Sequence, residues 1–149
     1  MSANAPRILG PWTLQPGAGR AEVKDNAVDV VLLVHDRLSI TMVLFMFAIG
    51  AWGMFSFARG ESLGGSISGA LAIGQGLISL QILFGVALVV GGREPAETFH
   101  YLYGITAIVL IPFAYSYLKA RHPRQALFFY SLAALFIGGL GIRGITTGG

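Results

Sequence analysis

Four apolar runs, separated by short polar breaks, set the pattern of this chain. The first, Leu38 to Ala58, stops at Arg59, Gly60 and Glu61. Ala27 to Val34 upstream is apolar apart from Asp29, so the helix is predicted to start near Asn26, with Asp25 or Asn26 as its cap. The second run, Ile67 to Val90, is closed by Gly91 and Gly92 and has Gln75 and Gln81 as its strongly polar members. The third, Phe99 to Leu118, opens on His100, contains Pro112 and ends in Lys119, Arg121, His122, Pro123 and Arg124. The fourth, Ala126 to Ile142, carries Arg143 near its end with Gly138, Gly139, Gly141 and Gly144 around it. A helix needs about 20 apolar residues to cross the hydrocarbon core, and each run supplies roughly that many. The predicted helices cover about 27–58, 66–91, 98–119 and 124–144. Their connections are short, so neighbours in sequence should be antiparallel neighbours in space. The predicted fold is all-α: an integral membrane up-down-up-down four-helix bundle over 27–149, preceded by an extended N-terminal tail over 1–26.

The tail holds Pro6, Pro11, Pro16, Gly10, Gly17 and Gly19 among scattered charges. It lacks the basic-then-apolar order of a cleavable signal peptide. It reads either as a loose terminus or as an arm laid on a partner protein, with Trp12 and Leu14 as anchors. On the second run Ser66, Ala70 and Gly74 recur at four-residue spacing, with Gly65 and Gly69 beside them. Small residues on one face let helices approach closely. Pro112 should kink its helix or leave one carbonyl unpaired.

Composition agrees with a lipid solvent. Hydrophobic residues make up 54% of the 149 and charged residues 11%, against about 25% charged in soluble domains. The absence of cysteine excludes disulfides and thiol chemistry. The net charge of +3 is spread over helix ends, so no nucleic-acid partner is expected. It does suggest an orientation. Arg59, Lys119, Arg121 and Arg124 lie in the loops after the first and third helices. The positive-inside rule puts those loops in the cytoplasm and both termini outside, in what is expected to be a bacterial cytoplasmic membrane. Trp52, Phe55 and Phe57, Tyr101 and Tyr103, and Tyr115 and Tyr117 read as interfacial aromatic belts.

Ionisable residues in or beside an apolar span are candidates for function. His35 and His100 lie near the starts of two helices that run in the same direction, so their imidazoles can reach a similar depth and could serve as the two axial ligands of a b-type haem. Arg37 and Arg143 lie at the same end and could pair with its propionates. Counted from the opposite helix ends, at Arg59 and Lys119, the two histidines are offset by five residues, roughly 7.5 Å. Interfacial histidines that bond only to headgroups or to a neighbouring helix are the bland alternative. His122, beside Pro123 in a basic loop, is expected to face solvent.

His35-Asp36-Arg37-Leu38 opens one helix, Gln81-Ile82-Leu83-Phe84-Gly85 falls late in the next, and Phe99-His100 opens the third. Together these resemble one four-helix half of the haem A synthase family, over about Val34 to Gly144. The resemblance implies a bundle whose first and third helices carry haem-ligating histidines at the outer side: here His35 and His100, with Gln81 and Gly85 marking the second helix. Leu32 stands where the family's catalytic half has a glutamate, Asp36 follows the first histidine where arginine is usual, and the family's cysteine pair is absent. No independent catalytic activity is therefore expected. Two readings stand side by side. One is a small subunit of a respiratory or photosynthetic electron-transfer complex, holding one haem b. The other is a cofactor-free accessory subunit that stabilises a larger membrane complex. Both imply the lipid bilayer and other subunits as partners.

Overall fold

Four antiparallel helices and three short connections make up residues 18–149, the part of the chain that this computed structural model describes. They are α1 (Ala18–Ala58), α2 (Gly65–Gly91), α3 (Phe99–Leu118) and α4 (Pro123–Gly148). All four are long and apolar enough to cross a membrane. The protein is an integral membrane four-helix bundle, with α1 beside α2 and α4, and α3 closing the ring between α2 and α4.

Two helix ends lie elsewhere than the apolar pattern placed them. The tail was expected to be extended to Asn26, but α1 already begins at Ala18. Ala18, Arg20, Ala21, Glu22 and Lys24 are good helix formers, and the apolar pattern alone does not register them. Trp12 and Leu14 lie outside the described residues. At the other end Ile145–Gly149 was expected to be a residual tail, yet α4 runs to Gly148. Thr147 is buried there and donates its hydroxyl to the Arg143 carbonyl at 2.8 Å. The backbone N–H groups of Ala96 and Glu97, in the α2–α3 connection, donate to the Gly148 and Thr147 carbonyls at 3.3 and 3.1 Å. Carbonyls that a helix end leaves unpaired thus find partners, and Gly144 does not end the helix.

α1 and α2 stop in the same way. Gly60 and Gly92 adopt left-handed φ of 84° and 93°. After α1, Gly60 N–H donates to Phe57 O and Glu61 N–H to Ser56 O, both at 3.0 Å. After α2, Gly92 donates to Val89 O at 3.0 Å and Arg93 to Leu88 O at 2.9 Å. These are paired Schellman closures, in which only glycine takes the turning conformation without strain. At the start of α4, Pro123 occupies the first turn and exposed His122 is the cap, its Nδ1 accepting from Arg124 N–H at 3.4 Å.

The tightest helix contact is α1 against α4. Met46, Leu127, Ala134 and Ile137 are fully buried there. Glycines from both helices form the seam: Gly50 sits against Leu135, Gly53 against Ser131, Gly138 against Phe47 and Gly141 against Val43. A methyl group added at Gly141 would lie 2.5 Å from Val43 Cγ2. Dispersion contact of this closeness holds membrane helices together where lipid removes the hydrophobic drive. On α2 the small-residue stripe is only partly used. Gly74 packs on Met46, while Gly65 and Gly69 face open space.

Pro112 leaves α3 continuous over Phe99–Leu118. It has no N–H to give to the Ile108 carbonyl one turn back. Gln75 Nε2 of α2 donates to that carbonyl instead, at 3.0 Å.

Candidate functional site

His35 projects from α1 and His100 from the first turn of α3, helices that are not neighbours in the ring. Side chains on a helix lean toward its N-terminus, so both rings reach toward the same end of the bundle. They meet, with centroids 6.2 Å apart and planes inclined at 42°. The five-residue offset counted from the far helix ends does not separate them.

Each ring is held from outside. His100 Nδ1 lies 3.0 Å from the Gly144 carbonyl of α4. A carbonyl only accepts, so Nδ1 is the donor in this contact and Nε2 takes no part in it. Gly148 also lies against the His100 ring, and a methyl group added there would stand 3.2 Å from Cε1. The end of α4, which the sequence pattern assigned to a tail, is therefore one wall of the site.

His35 is braced by α2. Gln81 Nε2 donates to the His35 carbonyl at 3.1 Å. One turn further on, Gly85 faces the ring, and a methyl group there would reach 3.5 Å from His35 Nε2. Asp36 Oδ1 lies 3.7 Å from His35 Nδ1, too far for a hydrogen bond but close enough for attraction to a proton on that nitrogen. Both imidazoles are thus held through their Nδ1 sides or backbone.

The two arginines are placed differently. Arg37 is exposed, and two residues take it about 200° round α1 from His35. It faces away from the pair. Arg143 is also exposed, but directly precedes Gly144, whose carbonyl holds His100. Neither arginine has an ion-pair partner among the described residues. The charged contact at this end is Arg93 to Asp29 at 2.7 Å, joining the end of α2 to α1.

Two carbonyl oxygens in the bundle, Gln75 Oε1 and Gln81 Oε1, are buried without a hydrogen-bond partner. Among the described residues, no group of three or more His, Asp or Glu side chains is arranged to hold a metal ion. The chain matches no family model, no curated protein and no solved structure.

Proposed function

We propose that the protein is a small membrane subunit of an electron-transfer complex and holds one b-type haem between His35 and His100. The observation that carries this reading is the ring separation. Two imidazoles on opposite sides of one iron, at metal–nitrogen bonds of about 2 Å, put their centroids roughly 6 Å apart. The observed 6.2 Å matches that spacing. The hydrogen bond from His100 Nδ1 to the Gly144 carbonyl leaves Nε2 as the free donor atom, the usual support for a metal-bound histidine. Gly85 lies directly against the His35 ring, where an added methyl group would stand 3.5 Å from Nε2.

In this reading His35 and His100 would hold the haem, and the surrounding apolar helices would keep water from it. Arg143 is the better-placed propionate partner and Arg37 the poorer. The haem supplies reversible one-electron chemistry, and the chain sets its potential through ligand identity and dryness. The basic loops after α1 and α3 favour the histidine end as the outer one.

A cofactor-free accessory subunit is the second reading. It draws support from α1, whose first turns carry Val23 and Val30 exposed, ready for a neighbouring subunit. One optical spectrum separates the two. Protein purified from haem-supplied cells should show a Soret band with low-spin bis-imidazole features, lost in His35→Ala and in His100→Ala. A colourless wild-type protein under those conditions leaves the accessory reading.

A further inference from the structure

Two adjacent grooves lie toward the end of the bundle opposite the histidines. The first, about 300 Å³, lies between Phe57, Tyr117, Phe128 and Phe129 and has Arg121 and Gln125 in its wall. The second, about 410 Å³, continues between α3 and α4 past Leu110, Phe113, Leu132, Ala133 and Phe136. Tyr117 and Phe129 line both, so the two grooves are adjacent, the first with Arg121 and Gln125 in its wall and the second apolar.

Charge is concentrated beside the first groove. Arg59, Lys119, Arg121 and Arg124 lie at this end with Glu61 as the one acid, and Glu61 is taken by Arg59 at 3.2 Å. Lys119, Arg121 and Arg124 have no carboxylate partner among the described residues. Aromatic rings hold two of them in place. Arg121 Nη2 donates to Tyr117 Oη at 2.8 Å, with its guanidinium 4.9 Å from the ring centre. Arg124 lies 5.1 Å over Phe57. Such stacking positions a guanidinium while leaving other N–H donors free.

We propose that these adjacent grooves bind an anionic phospholipid, its phosphate at Arg121 and Arg124 and one acyl chain along the α3–α4 groove. Guanidinium groups bind phosphate with two parallel hydrogen bonds. Basic pockets between membrane helices select anionic headgroups in the same way. The apolar second groove accounts for a lipid in preference to a free anion, because a phosphate alone would use only the first. At the histidine end Glu22, Asp25, Asp29, Asp36, Glu94 and Glu97 offset the cations, so no comparable field exists there.

The test is retention of spin-labelled lipid by the full chain in nanodiscs of nine parts phosphatidylcholine to one of phosphatidylglycerol. Wild-type protein should immobilise labelled phosphatidylglycerol in preference to labelled phosphatidylcholine. Arg121→Gln with Arg124→Gln should lose about fivefold in that preference per charge removed. Both arginines are exposed, so the double variant should keep its fold. Ala133→Phe fills the second groove with both arginines intact, and should lower retention too. Equal retention of the two lipids by wild type overturns the proposal. So does full preference in Ala133→Phe, or complete displacement of the labelled lipid by millimolar inorganic phosphate, which would make the site one for a free anion.

Discussion

Gln75 on α2 supplies the hydrogen bond that Pro112 on α3 cannot. Its Nε2 donates at 3.0 Å to the Ile108 carbonyl, the acceptor one turn before the proline. A proline in a membrane helix is tolerated where a neighbour satisfies the freed carbonyl, and here one side chain does so from the next helix. Gln75→Leu should therefore destabilise the bundle by about 0.6–2 kcal/mol. In a Pro112→Ala background the backbone N–H returns and the same substitution should cost much less. A double-mutant cycle by reversible unfolding in mixed micelles measures the coupling. Equal costs in the two backgrounds would mean that the contact contributes nothing.

The α1–α4 seam predicts a sharp contrast between glycines. Gly53 faces Ser131, whose buried hydroxyl donates to Leu127 O at 2.7 Å, whereas Gly139 faces open space. Gly53→Ala should destabilise by about 1–3 kcal/mol through overpacking. Gly139→Ala should be neutral or slightly stabilising. Thermal unfolding of the two variants side by side decides it.

Gly85 separates stability from cofactor loading. A methyl group there meets His35 Nε2 at an ordinary contact distance of 3.5 Å, so Gly85→Ala should fold and melt like wild type. A haem seated beside His35 would feel the added group. The expected result is an unchanged unfolding midpoint with a reduced ratio of Soret to protein absorbance. Unchanged loading in both Gly85→Ala and Gly85→Val would remove Gly85 from the proposed haem site.

Truncation after Gly144 tests the end of α4. It removes buried Thr147 and the carbonyls that receive Ala96 and Glu97. Amide exchange in residues 93–100 should accelerate while the α1–α4 core stays protected, since few contacts would then restrain the α2–α3 connection.

Much of this was legible in the residues. The four spans were plain because lipid demands long, nearly uninterrupted apolar helices, and little else satisfies backbone polar groups there. Pro112 announced an orphan carbonyl, but only the structure gave Gln75 as its partner, since pattern carries no information on helix rotation. The first turns of α1 and the last turn of α4 were missed for opposite reasons. The former rest on local helix propensity in a charged stretch. The latter rests on bonds from a loop some fifty residues earlier in the chain. His35 and His100 could be placed at one end of the bundle from the common direction of their helices, although counting from the far helix ends left them five residues out of step. The direction of Arg37 could also have been counted, since two residues along a helix always place a side chain on the far face.

The bond from His100 to the Gly144 carbonyl also makes the histidine pair dependent on the fourth helix. His35, Gln81, Gly85 and His100 all lie on the first three helices, and the carbonyl that orients the His100 ring belongs to the fourth. Without α4 in place the His100 ring has no carbonyl to hold it, so the oriented pair of imidazoles is a property of all four helices together rather than of the two that carry it.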